Sequence, residues 1–316
     1  MAEPALAVEV ATAPAYLALP AAMLLLVAAA LSAALHGFAS ASAGSSRGAG
    51  LATPFREAAR LLRQRRRQPV AADRLLWRIG TGGLLPVALL MVTVVPFGGW
   101  TLFDSPVGVV WFNALDVMLW ALVWLAGWGP NAVYPLVGGY RFLAQAVAYE
   151  LPLMFALVAP PIATGSLRVA DVAAAQEDLW FVVWMPVAFG VYALSVVAFS
   201  VWGPFGVAGG TDLAGGVLAE TSGVDRLLFL VGRHALLVAG AAFAVPMFLG
   251  GGAGPLLPGW AWVLVKTLLL TAALVLVRHR VPAIRPDRFL EAAWVVLLPL
   301  VVAQDLVVAV VAVGRS

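Results

Sequence analysis

Residues 142–165 read FLAQAVAYELPLMFALVAPPIATG, an apolar run of 24 residues broken by one ionisable side chain, Glu150. An α-helix rises about 1.5 Å per residue, so roughly 20 residues cross the hydrocarbon core of a bilayer. The run reads as a membrane-spanning helix with a carboxyl eight residues inside its start. A charge at that depth costs around 2.5–3.5 kcal/mol on insertion scales, and nothing at a lipid-facing position offsets it. Glu150 therefore asks for a protein-facing or wet surrounding.

Comparable runs lie at 15–37, 80–100, 106–128, 179–202, 227–249, 260–279 and 292–312, so the expected fold class is an all-α integral membrane protein with about eight transmembrane helices. Of 316 residues 63% are hydrophobic and 11% charged. Soluble domains run near 45–50% and 25%, so a single polytopic membrane domain, 1–316, accounts for the length. Prolines such as Pro152 and Pro160 inside these runs are compatible with it, because neighbours in a bundle re-satisfy freed carbonyls. Acidic Glu3 precedes the first run where a cleaved signal peptide would be basic, so the first helix is expected to stay. The absence of cysteine excludes disulfides, thiolate zinc and iron–sulfur clusters on this chain. Its three scattered histidines offer no metal-ligand spacing, so no metal is expected. No Ser-His-Asp order, P-loop or dinucleotide fingerprint stands where a soluble catalytic site could form.

Arginine supplies 18 of the 19 basic residues, and its distribution sets the orientation. The first loop holds Arg47, Arg56, Arg60, Arg63, Arg65, Arg66, Arg67, Arg74 and Arg78; the seventh holds Arg278, Arg280, Arg285 and Arg288. Loops three and five add Arg141 and Arg226, whereas the even loops offer Arg168. By the positive-inside rule odd loops are cytoplasmic, with N-terminus and C-terminus outside. The expected place is the cell inner membrane, multi-pass. Charge gathered in this way does not suit nucleic acid.

Within the basic cytoplasmic loop, 38–78, residues 54–67 (PFREAARLLRQRRR) read as a short amphipathic helix. It either anchors at anionic headgroups or docks an acidic soluble subunit. Arg63, Arg65, Arg66 and Arg67, with Arg285 and Arg288, are the candidate docking residues. A glycine-rich cytoplasmic loop, 203–226, suits either close approach to a ligand or partner, or a plain connector. Asp116, Glu150, Arg233, His234, Lys266 and Asp305 fall inside or at the edge of spans. Asp116 and Glu150 are read as a proton relay or ligand site, or as a structural ion pair with Lys266 or Arg233. Lys266 is a third proton-path candidate, placed to snorkel, and Asp305, beside Gln304, reads as structural.

One stretch carries a resemblance. Ala126-Gly127-Trp128-Gly129-Pro130-Asn131, Tyr134, Gly138-Gly139-Tyr140-Arg141, Gln145 and Ala148-Tyr149-Glu150-Leu151-Pro152-Leu153 are similar to the membrane-embedded H subunit of respiratory complex I. The likeness continues through Gly165-Ser166-Leu167, Pro204-Phe205, Ser222-Gly223, Lys266, Arg278, Pro282, Arg285 and Asp287 to Leu297-Leu298-Pro299-Leu300. It implies eight helices with outside termini. It also implies a quinone chamber shared with a soluble iron–sulfur subunit and the start of a charged axis coupling quinone reduction to proton translocation. Membrane subunits of energy-converting hydrogenases share the fold. Arg141, Asp212, Glu220, Arg233 and His234 are the candidate quinone and loop residues. Over 204–223 the family's acid-rich fifth loop here keeps only Asp212 and Glu220 as acids, its Glu-Tyr in helix six appears as Arg233-His234, and its Glu-Arg-Lys at the end of helix one is absent.

The first expectation is a membrane subunit of a complex I-like NADH-quinone oxidoreductase, contributing a chamber wall and charged axis but no redox centre. The competing readings are an anchoring subunit without quinone activity, a membrane subunit of an energy-converting hydrogenase and a stand-alone transporter. A transporter would be favoured by inverted repeats, and none is seen.

Overall fold

The structure, a computed structural model, describes residues 10–41, 47–210 and 215–315. Among these, eight helical segments are long and apolar enough to span a membrane: Ala15–Ala39, Arg74–Val92, Gly108–Trp128, Val133–Thr164, Pro186–Gly209, Gly223–Phe248, Gly259–Arg280 and Pro286–Gly314. The chain is an all-α integral membrane protein. Its one sheet among the described residues pairs β1 (Ala11–Thr12) with β2 (Trp100–Thr101) in parallel.

Helix α1 (Ala18–Ala39) is followed by α2 (Arg47–Arg63) on the first loop. The amphipathic segment thus begins seven residues before the expected 54 and ends before Arg65. The chain leaves the helix at Gln64 because it is pinned elsewhere: Gln64 Oε1 accepts from Gly223 N, and Arg67 N donates to Ser222 Oγ at 2.7 Å. The second span is broken into α3 (Arg74–Gly82) and α4 (Leu84–Val92) and starts six residues before the expected 80. Asp73 sets that start, its Oδ1 accepting from Leu75 N and Leu76 N at 3.1 Å, as an N-cap residue does.

The third span is α5 (Gly108–Trp128) and the fourth α6 (Val133–Thr164), which begins nine residues before the expected 142. Its first turns carry Gly138, Gly139 and Arg141, a composition that hydropathy alone reads as loop. After α7 (Val169–Ala174) and α8 (Phe181–Trp184), α9 (Pro186–Phe199) opens the fifth span seven residues later than the expected 179. Pro186 disfavours helical backbone at the residue before it, and Met185 sits at φ −121°, ψ 49°. Next come α10 (Gly223–Phe248), α11 (Gly259–Arg280), α12 (Pro286–Ala292) and α13 (Leu298–Arg315). A π-turn over Ala293–Leu297 joins the last two, just before Pro299, whose ring and missing N–H an unbroken α-helix accommodates poorly.

Two helices organise the bundle. α10 packs on α1, α4, α9 and α11, and it is the most buried span. Small residues make that close packing possible: a Cβ on Gly232 would stand 2.6 Å from Leu84 Cβ, and one on Gly240 would stand 2.5 Å from Val196 Cγ1. α6 gathers α5, α9, α12 and α13. One face of the bundle holds α2, the loop after α9 and the end of α11, and with them most arginines. Arg168 lies on the loops of the opposite face, where Asp104 and Asp171 bind it at 2.8 and 3.0 Å.

Candidate functional site

α5 and α6 run antiparallel and touch through glycine. A Cβ on Gly127 would lie 2.5 Å from Pro135 O and 3.0 Å from Gly139 Cα, so this crossing admits only hydrogen there. Asp116 is eleven residues back from Gly127, and Glu150 eleven on from Gly139, so the antiparallel register brings the two to one level. Asp116 faces Glu150 and Tyr149, with Trp120 and Asn113 closing the group. Asp116 is fully buried and Glu150 8% exposed. Among the described residues, all four carboxyl oxygens, Tyr149 OH, Trp120 Nε1 and Asn113 Oδ1 find no protein hydrogen-bond partner. Among the described residues no ion pair joins either carboxyl to Lys266 or Arg233, so the ion-pair reading of Asp116 and Glu150 with those two cations is not what the fold builds. An unpaired buried carboxylate costs several kcal/mol. Asn113 and Trp120 are not residues the sequence singles out, although each is one helical turn from Asp116.

Lys266 is brought to a different place. Its Nζ donates to the carbonyls of Leu249, Gly251 and Ala253 at 2.7, 3.0 and 2.8 Å, at the C-terminal end of α10, and lies 4.1 Å from the Trp180 ring centroid. All three of its donors are used internally, so it does not snorkel to water. Asp305 is buried with neither oxygen partnered among the described residues, whereas its neighbour Gln304 accepts from Ala188 N at 3.0 Å. The structural role expected of Asp305 has no hydrogen bond to rest on among the described residues.

A second cluster gathers where the ends of α1 and α11 pack beside the middle of α10. The three histidines that look scattered in sequence meet here, because these helices pack side by side. His36 Nδ1 stands 3.3 Å from His279 Nε2, and His234 Nδ1 stands 2.8 Å from Ser32 Oγ. Trp202 is the hub: His36 and His234 approach its ring edge-on at 4.9 and 4.8 Å between centroids, and Arg233 stacks on it at 4.7 Å. Among the described residues no three His, Asp or Glu side chains are grouped to hold a metal. Beside the cluster opens a cavity of about 840 Å³ between α1, α2 and α10.

The remaining candidates are spread over the same face. Arg141 lies half-buried on α6, Glu220 half-buried in the loop before α10, and Asp212 lies outside the described residues. Arg66, expected to dock a partner, stands 3.5 Å from Asp225 and helps tie the first loop to α10. Arg63, Arg65 and Arg67 are exposed. Arg285 pairs with Asp287 at 3.0 Å and Arg288 with Glu291 at 3.6 Å, all four exposed.

Eight spans, two buried carboxyls at one level and a cationic cavity at one membrane face define a polytopic membrane protein. A family profile described as NADH dehydrogenase matches residues 12–309. The second H subunit of the NADH-quinone oxidoreductase of Geobacter sulfurreducens is 34% identical over 269 residues, 82% of each chain. Its counterpart in Cereibacter sphaeroides, also a second H subunit, is 37% identical, covering 67% of this chain and 68% of its own. The H subunit of Carboxydothermus hydrogenoformans is 30% identical over 75% of this chain and 69% of its own. The chain belongs to this NADH dehydrogenase family.

Proposed function

We propose that the chain is the membrane-arm H subunit of a complex I-like, proton-translocating NADH-quinone oxidoreductase, forming the quinone-chamber wall and the start of the proton path. The Asp116–Glu150 pair carries the reading. Two carboxyls side by side inside a membrane bundle, ringed by the polar atoms of Tyr149, Trp120 and Asn113, can take up and pass on a proton as their surroundings shift. With no cysteine in this chain, iron–sulfur clusters belong to a soluble partner, and the other partners are further membrane subunits of the complex.

The residues around the cavity fit a quinone. Leu26, Ala29 and Leu230 supply apolar wall, and Arg233 and His234 supply groups able to hydrogen-bond a polar head. A bound quinone would accept the electrons and protons of the reaction; this chain's part is to hold the head and keep water out. A second reading, an anchoring subunit without quinone activity, draws on the cationic cluster that stands where the family it resembles carries acids.

The test uses the native assembly in sealed vesicles, with electron transfer and proton movement followed separately. Asp116→Asn and Glu150→Gln are expected to lower the ratio of protons moved to electrons passed while subunit content stays intact. An unchanged ratio in both variants removes the pair from the proton path.

A further inference from the structure

The cavity between α1, α2 and α10 is walled by cations that no described residue neutralises. Arg233 is 6% exposed, its Nε has no hydrogen-bond partner among the described residues, and one terminal nitrogen donates to Val201 O at 2.6 Å. Arg278, half-buried, faces the same indole, its Cζ 5.3 Å from the Trp202 ring centroid. Arg56 stands on the same wall. The carboxylate of Glu57 also lines the cavity, but Arg60 on the same helix holds it at 2.7 Å. His36, His234 and the adjoining His279 bring no negative charge. Among the described residues neither Arg233 nor Arg278 has a carboxylate partner. Two guanidiniums on one indole repel each other, and burial removes the water that would screen them. A neutral quinone head leaves that imbalance as it is; an anion relieves it.

The rest of the wall describes the other end of the ligand. Leu26, Ala29, Ala30, Ala33 and Leu230 are apolar, and Leu26 and Phe55 on the rim are 40% and 55% exposed. α1 is among the least buried spans, so the open side looks toward lipid. Depth agrees: His36 and Arg278 lie within the last turns of α1 and α11, beside the amphipathic α2, the level at which headgroups meet the hydrocarbon.

We propose that this cavity binds an acidic phospholipid of the surrounding leaflet, its phosphate between Arg233 and Arg278 and an acyl chain along α1. Planar guanidinium groups match phosphate oxygens in pairs, which an ammonium does not. The site stands independently of the quinone reading, and because both ligands use one cavity, the lipid and a quinone exclude each other there.

The native assembly, washed in neutral detergent, is offered phosphatidylglycerol or phosphatidylcholine of matched chains, and the lipid retained per copy of the chain is weighed by mass spectrometry. Wild type is expected to keep an additional phosphatidylglycerol over phosphatidylcholine. Arg233→Gln or Arg278→Gln should each weaken that retention about fivefold, the factor an arginine near a membrane surface contributes toward anionic lipid. Equal retention of the two lipids by wild type overturns the proposal whether or not the variants assemble. Unchanged retention in both assembled variants overturns it as well.

Discussion

Lys266 shows how one side chain can settle a helix end. The last carbonyls of a helix have no partner within it, and the aligned peptide dipoles leave negative potential there. Lys266 Nζ reaches three carbonyls at and beyond the end of α10 and packs on Trp180, so one residue of α11 caps its neighbour. Lys266→Met keeps the length of the stem and removes the three donors. The expected loss is about 1–3 kcal/mol, that of buried acceptors left without partners, read as a lower thermal midpoint of the detergent-solubilised assembly. An unchanged midpoint would mean that water satisfies these carbonyls equally well. Lys266 is visible in the sequence as a membrane charge, but its partners are not, because a backbone carbonyl carries no residue signature. The histidine cluster is hidden for a related reason: His36, His234 and His279 are far apart in the chain and meet only through helix packing.

At the scale of elements, the register of α5 on α6 rests on Gly127 and Gly139, and the same closeness recurs where a Cβ on Gly138 would fall 2.4 Å from Val217 N. Gly138→Val should therefore push the loop before α10 away from α6, seen as faster hydrogen exchange over 215–221. The eight spans were legible from apolar runs, and the errors lay at their ends, where Asp73 capping, Pro186 and the polar first turns of α6 override hydropathy. Sidedness follows from the arginines: reporters at residues 70 and 284 should be cytoplasmic and one at 254 outside. Opposite placement of any of the three overturns that orientation. On the other face Arg168 binds Asp104 and Asp171, and the hydrogen-bonded Asp104 carboxylate holds its guanidinium above the ordinary value. Arg168→Gln should raise exchange in the joined loops about tenfold, the equivalent of losing charge-assisted bonds worth about 1.5 kcal/mol.

For the whole molecule, the basic face is an orientation signal, and the proposed function gives it a second use as a surface for a partner. Arg63, Arg65 and Arg67 stand exposed, whereas Arg66 is drawn toward Asp225 and Arg285 and Arg288 pair with acids of α12. The free part of the patch is thus smaller than the arginine count in the sequence implies, because pairing is decided by the fold. If a soluble iron–sulfur subunit docks there through acidic groups, attraction between exposed charges should weaken as the screening length falls from about 10 Å at 0.1 M salt to about 3 Å at 1 M. A tagged copy of the chain, used to purify the assembly, is expected to bring the soluble subunit with it at low salt and to lose it at high salt. Replacing Arg63, Arg65 and Arg67 together by Gln should lower the salt needed for release, while Arg66→Gln should act mainly by loosening the first loop from α10. Co-purification of the soluble subunit that resists both salt and the triple replacement would place its docking on apolar surface elsewhere. No iron–sulfur protein at low salt, with the membrane subunits intact, would favour the anchoring role over the quinone-reducing one.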